Sequence, residues 1–449
     1  MSGFLDRKFG IAAAGSTPLR EVTGGVVTFL TLSYILFVQP AVMGAAGIDP
    51  STALFATCFG SAFACVAMAW LANYPIALAP AMGHNFFFAF TACGALAMGG
   101  MGLSWQQALA ANMIAGLAFV ALSALRVREH VIRALPPTMK HAIAGGIGLL
   151  VALLGFEWGG LVRASPATLV QLGDLGSPAA KTTLIGLAVL AVASARRVPG
   201  AALVSIAITL CVGVAFGVAQ WPERWVATEF AVQPVLPQLD FRGLWESSHA
   251  LEVVLTFFFL MLFDTIGTLV GVGARAGLLR DGELPRAGQA LFADALGTVA
   301  GASLGTSTIT SYVESAAGVA AGARTGLASL VTAALLVLAW FFHPALASIG
   351  ASAGESGGIA LHPVLAPVLI YVGAMMSRSL ADIDWDDRTL ALPAFLTLVT
   401  IPLTLSISDG IAMGCVSAAL IAPCVGKARA RHPLLYVLAA IFVLRYATR

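Results

Sequence analysis

The chain has 449 residues, of which 59% are hydrophobic and 10% charged, with a mean hydropathy of +0.91 and a formal net charge of +2. So few charges cannot cover a soluble surface, which is about a quarter or more charged, and so small a net charge gives no reason to expect nucleic acid as a partner. These values specify an all-α polytopic membrane protein whose first partner is the lipid bilayer.

In chain order, residues 1–20 form a short polar cytoplasmic N-terminus carrying Arg7, Lys8 and Arg20, and the apolar run after it lacks the small-residue cleavage site of a signal peptide. Apolar runs of about 20 residues, long enough to cross a bilayer, follow near 21–43, 51–72, 75–95, 104–125, 138–157, 179–196 and 200–219. A polar connector, 221–248, separates them from a second set near 249–272, 286–303, 306–320, 325–344, 361–379, 388–406 and 409–424. Each set contains seven spans. The last apolar stretch, Pro433 to Tyr446, is too short to span and is expected along the interface.

The basic residues test this segmentation, because one missed span would invert every later loop. With the N-terminus inside, only Arg163, Lys181, Arg224 and Arg242 fall outside, and every other Lys and Arg before Arg445 falls inside. About 14 spans with both ends cytoplasmic satisfy that bias. A seven-span unit has an odd number of crossings, so its second copy enters upside down, the inverted-repeat design of many secondary transporters.

The third span of each set reads as broken. Tyr74-Pro75-Ile76-Ala77-Leu78-Ala79-Pro80 holds two prolines that restrict the preceding residues and lack donors, so an extended segment with a helix from about Ala81 fits better. Thr306 to Tyr312 is rich in hydroxyl and β-branched residues, and Glu314 to Gly318 reads as a helix start. The two half-helices would then face each other near the midplane, their free N–H groups available to an oxygen-rich ligand, and the extended segments could pair as short strands.

Two acids lie inside these apolar stretches: Asp264 in Leu255 to Thr268, and Glu314 after the run Gly305 to Tyr312. A charge at membrane depth costs several kcal/mol, so such residues usually face a cavity and handle substrate, ion or proton. Asp294 is a third intramembrane acid, for which an interhelical structural bond is preferred over a proton relay. The run Asp382 to Asp387 reads as a solvated connector rather than a calcium loop, since it lacks the loop's glycine and terminal glutamate. Cys58, Cys65, Cys93, Cys211, Cys415 and Cys424 have no metal-ligand spacing, and no His or Cys grouping has the spacing of a catalytic site; no cofactor, metal or enzyme activity is expected. The stretch Gly145-Gly146-Ile147-Gly148 permits close helix packing, which is compatible with a homodimer.

Three stretches, Tyr74 to Phe87, Leu262 to Gly271 and Gly305 to Gly318, resemble in order the signature segments of the xanthine/uracil permease superfamily, the nucleobase:cation symporters, and best its AzgA-like branch of hypoxanthine, guanine and adenine permeases. The resemblance runs from about Pro18 to the end of the chain. It implies a core domain of spans one to four and eight to eleven (21–125 and 249–345) and a gate domain of spans five to seven and twelve to fourteen (126–220 and 346–425), with 426–449 a cytoplasmic segment. It places the base between the broken third and tenth spans, facing the eighth. Matched residue by residue, it assigns the membrane carboxylate to Asp264, the residue one turn later to Thr268, the tenth-span carboxylate to Glu314 and the third-span polar residue to Asn85, with Phe86 beside it. His84 departs from the pattern, standing where related sequences often carry an apolar residue.

These residue types suit a neutral purine: Glu314 accepts from ring N–H groups, Asn85 donates and accepts, and Phe86 covers a ring face. Thr268 shares a helix face with Asp264, and His84 serves either the pocket or packing. A carboxyl at membrane depth also takes up and releases a proton, so the expected reaction is import across the inner membrane by proton symport, sodium being the other candidate ion. Asp264 is the better candidate for coupling and Glu314 for recognition, with the roles open to exchange or sharing. The same fold also serves anion transporters, and a channel is the remaining alternative.

Overall fold

The computed structural model describes residues 2–96, 100–124, 136–165, 169–229, 232–278, 284–356, 359–426 and 432–447. Arg126, Arg128, Arg133, Arg280, Lys427, Arg429 and Arg431, used above to orient the chain, lie outside the described residues.

Helix starts follow the local sequence. Thr17-Pro18, Asp49-Pro50 and Ser177-Pro178 each place a capping oxygen before a proline at the first helical position, and each cap accepts from a backbone N–H of the first turn. Among the described residues six helices are long and apolar enough to cross a membrane: Pro18–Ala45, Pro50–Leu71, Trp105–Ser123, Pro137–Trp158, Pro178–Ala195 and Ile407–Cys424. The pair Gly326–Trp340 and His343–Ile349, bent by 80°, adds a seventh. The other expected spans correspond to shorter or divided elements.

The order of elements repeats. In the first half Pro18–Ala45 and Pro50–Leu71 precede the strand Leu78–Pro80, the short helix Met82–Phe86 and its π-helical continuation Phe87–Ala92; Trp105–Ala124, Pro137–Trp158, Pro178–Ala195 and Ala201–Ala215 follow. In the second half Ala250–Arg275 and Ala287–Leu304 precede the strand Ile309–Ser311 and the short helix Ser315–Ala320, and Gly326–Trp340, Ala366–Met376, Arg388–Thr404 and Ile407–Cys424 come after. Two hairpins, Val162–Ser165 with Leu169–Leu172 and Glu355–Ser356 with Ile359–Ala360, had no sequence forecast.

Packing interleaves the halves. Pro50–Leu71 lies against Ala287–Leu304 and Gly326–Trp340, and Trp105–Ala124 against Ala250–Arg275 and Ala287–Leu304. Pro137–Trp158 lies against Ala366–Met376 and Arg388–Thr404. Gly145, Gly146 and Gly148 are consumed in this second group: a Cβ on Gly146 would stand 2.7 Å from Ile401, and one on Gly148 2.8 Å from the Gly373 carbonyl oxygen. The glycine stretch that suggested a dimer therefore joins helices of one chain, because only residues without a side chain let those backbones approach so closely.

The last helix also departs from expectation. Pro433–Ala447 does not lie apart along an interface; it runs antiparallel to Ile407–Cys424, with Leu435, Leu438, Ala439 and Phe442 buried and the Tyr446 hydroxyl donating to Asp409 near the start of that span. An apolar stripe at helical spacing needs a partner surface, and the preceding span supplies one.

Candidate functional site

The two strands pair antiparallel, Leu78 with Ser311, Ala79 with Thr310 and Pro80 with Ile309. Flanking bonds from Ala81 N to Thr308 O, 3.0 Å, and from Tyr312 N to Ala77 O, 2.9 Å, lengthen the ladder. Extended backbone at membrane depth exposes donors and acceptors that lipid cannot satisfy, so each broken span completes the other. The Tyr312 hydroxyl adds a clamp by donating to the Pro80 carbonyl at 2.6 Å.

The hydroxyl residues around the second strand distribute themselves among five helices. Thr306 Oγ1 accepts from Gln39 Nε2 at 2.8 Å, Ser307 Oγ donates to Asn85 Oδ1, and Thr308 Oγ1 donates to Asn112 Oδ1 at 2.6 Å. Thr310 Oγ1 donates to Asp264 Oδ2 at 3.1 Å, and Ser311 donates twice to Asp294 Oδ1, from its backbone N at 2.8 Å and its hydroxyl at 2.9 Å. Thr265 completes the Asp294 shell at 2.6 Å. A buried polar group left unpaired costs about 1–3 kcal/mol, so this network fixes where each helix sits around the strands.

Glu314 is the residue before the helix Ser315–Ala320, and its Oε1 accepts from the Tyr34 hydroxyl at 2.7 Å. Tyr34 stands at the break between Pro18–Leu32 and Ile35–Ala45. The break turns the ring toward the tenth span. Asp264 and Glu314 are close enough to act on each other electrostatically.

The expected site residues thus divide. Asp264, Thr268 and Glu314 are half-buried, and the Asp264 side chain is 41% exposed. His84, Asn85 and Phe86 are buried, and the Phe86 ring is stacked on Phe90 with centroids 5.9 Å apart. Asp294 is fully buried and fully bonded, in line with the structural reading given above. Asp384 and Asp387 make local turn and cap bonds in a largely exposed connector. Sequence reasoning missed Tyr34, Gln39 and Asn112. Gln39 and Asn112 are single amides inside apolar spans, and an amide at that depth signals a bonded partner.

The site offers carboxylate, amide and hydroxyl groups that accept from N–H donors, with Asn85 Nδ2 as an amide donor that makes a long, weak bond to the Met82 sulfur at 4.0 Å. Among the described residues no group of His, Cys, Asp and Glu could hold a metal ion. A cavity of about 230 Å³ lies elsewhere, between Phe29, Phe37, Leu203, Leu338 and Phe342; its walls are apolar and hold no acid.

Comparison with known proteins bears on this geometry. The model of a permease family, the xanthine/uracil permeases, matches residues 19–413. The chain is 41% identical over 443 residues to the guanine/hypoxanthine permease PbuG of Bacillus subtilis, covering 96% of this chain and 97% of that one. It is 38% identical over 449 residues to the adenine permease AdeQ of Escherichia coli, covering 99% and 96%. Among solved structures, the transmembrane domain of the cyanobacterial bicarbonate transporter BicA matches with a TM-score of 0.61 at 16% identity, over 89% of this chain and 97% of that chain. SLC26A9 matches with a TM-score of 0.63 at 12% identity, over 90% and 65%. These two likenesses establish the membrane-transporter fold, of the seven-plus-seven inverted-repeat type.

Proposed function

Because the chain belongs to the xanthine/uracil permease family, we propose that it imports purine nucleobases across the cell membrane by symport with a proton. The observation that carries the reading is the contrast between Asp264 and Asp294: among the described residues Asp264 accepts one hydrogen bond, from Thr310, with its side chain 41% exposed, whereas Asp294 is fully buried and held by three donors. A base reaching the strands meets Asp264, Thr268 and Glu314 first. Ser307 occupies the Asn85 oxygen and leaves its Nδ2 as the donor for a base carbonyl or ring nitrogen. Phe86 reaches a ring face only if it parts from Phe90.

The helices that carry the strands form the core and move as a unit against the gate helices packed on Pro137–Trp158. Polar links between the two groups include Thr91 Oγ1 to the Leu405 carbonyl at 3.0 Å and Ser408 Oγ to Glu252 at 2.9 Å, bonds light enough to break in a sliding motion. The N-terminus is cytoplasmic. Asn73 Nδ2 donates to the Phe9 carbonyl just past the end of Pro50–Leu71, and Tyr446 donates to Asp409 at the start of Ile407–Cys424, so this reading counts the last helix as a further crossing, with the C-terminus outside in place of the expected cytoplasmic side. An anion transporter of this fold is disfavoured, because the side chains gathered at the strands are acids, amides and hydroxyls.

The test is uptake of radiolabelled adenine, guanine, hypoxanthine and xanthine in cells lacking other purine carriers, each competed by the others. A symporter concentrates the base above the outside level and loses that ability with a protonophore. Uptake that stops at equal concentrations identifies a channel, and accumulation that follows a sodium gradient replaces the proton.

A further inference from the structure

His84 is the residue of the third-span half-helix whose polar atoms the network leaves out. It is 2% exposed, and among the described residues neither ring nitrogen has a hydrogen-bond partner; the Leu260 carbonyl lies beside the ring outside hydrogen-bond geometry. Buried polar side chains are nearly always bonded, so an orphaned imidazole points to a partner it gains in another state. That partner is at hand. His84 Nδ1 lies 3.9 Å from Asp264 Oδ2, too far for a hydrogen bond and within a small rotation of either side chain.

The backbone holds the ring there. A Cβ on Gly83 would stand 2.7 Å from Ile147, so Pro137–Trp158 presses on the residue before His84, while the strand pairing at Pro80 fixes the start of the half-helix. Met82–Phe86 packs against Ile35–Ala45, Pro137–Trp158 and Ala250–Arg275. Ala250–Arg275 presents Asp264. Next to Ile35–Ala45 stands Tyr34, already bonded to Glu314. Pro137–Trp158 carries Lys140 and His141 about two turns from Ile147 toward one end, and Glu157 nearly three turns toward the other. Glu314 and Asp294 both lie within electrostatic reach of Asp264.

We propose that His84 and Asp264 bind the transported proton as a pair, with His84 a positioning residue that acts through the carboxylate and never touches the base. One proton enters from water on the outer side, the pair passes from net charge −1 to zero with Nδ1–H donating to Oδ2, and the same proton leaves to water on the inner side. A neutral pair crosses the low-dielectric interior at less cost than a bare carboxylate. The inference rests on the proton-symport reading above.

The experiment uses the full-length protein in proteoliposomes, with tritiated adenine and tritiated guanine as probes and an imposed pH gradient. Uptake is measured against external pH for wild type, His84→Leu and His84→Gln. A shared proton is held more tightly than one on Asp264 alone, so both variants are expected to need a more acidic exterior, with the pH of half-maximal uptake lowered by about one unit. KM well below that midpoint should change less than about threefold, since His84 makes no contact with the base. Variant profiles that superimpose on a proton-driven wild type overturn the pair and leave symport standing. Wild-type uptake indifferent to the pH gradient removes the symport reading itself. If the leucine variant does not assemble, the glutamine variant, which keeps a polar side chain but does not titrate, decides the matter by the same shift.

Discussion

Asp264 and Asp294 stand on neighbouring helices beside one strand, and the structure treats them in opposite ways. Asp294 is fully buried and accepts from the Thr265 hydroxyl and from both the backbone and hydroxyl of Ser311. Among the described residues Asp264 accepts from Thr310 alone, and it keeps 41% of its side chain exposed. Three donors satisfy a carboxylate in place, whereas one donor leaves lone pairs for a base or a proton. Depth in the membrane marks both acids as costly; on the function proposed above, the number of donors around each separates a support from a working group.

The sharpest way to break this comparison is Asp264→Asn. It is expected to abolish concentrative uptake, bringing labelled purine to equal levels inside and outside, while thermal stability in detergent stays close to wild type. Asp294→Ala should do the reverse. It strands the donors of Thr265 and Ser311, at about 1–3 kcal/mol for each buried group left unpaired, and is expected to lower the unfolding temperature by several degrees and reduce the folded yield in the membrane. A stable Asp294→Ala protein paired with an unstable Asp264→Asn one would exchange the two assignments.

Smaller changes sharpen the picture. Ser307→Ala removes the donor that holds the Asn85 amide, a bond of about 0.5–1.5 kcal/mol, and should raise KM by roughly threefold to tenfold with kcat nearly unchanged. An unaltered KM in transport assays would detach Asn85 from recognition. The mildest probe leaves transport intact: Ala447→Cys, in a protein whose exposed Cys211 and Cys424 have been replaced, should react with an impermeant maleimide from outside the cell. Labelling only after the membrane is opened would return the last helix to the cytoplasmic side.

Much of the site was legible in the chain because its signals are local. Two prolines five residues apart, Pro75 and Pro80, and a run of hydroxyls from Thr306 to Ser311, break helices wherever they occur, and an acid in an apolar run is conspicuous at any depth. What the sequence left open depended on residues far apart. Tyr34 is an unremarkable tyrosine until the break at Ser33 turns it to Glu314, 280 positions away. The glycines at 145 to 148 read equally well as a contact between two chains or within one, and the approach of Gly373 decides it.

By itself the sequence determined that this chain lives in a bilayer, that it repeats one plan twice, and that two of its spans are interrupted, because hydropathy, element order and proline chemistry act over a few residues at a time. Only the tertiary structure decided which acid is held by three donors and which by one, where His84 rests, and that the last helix runs beside its predecessor. Each of those outcomes depends on distances between segments that the linear order of residues does not contain.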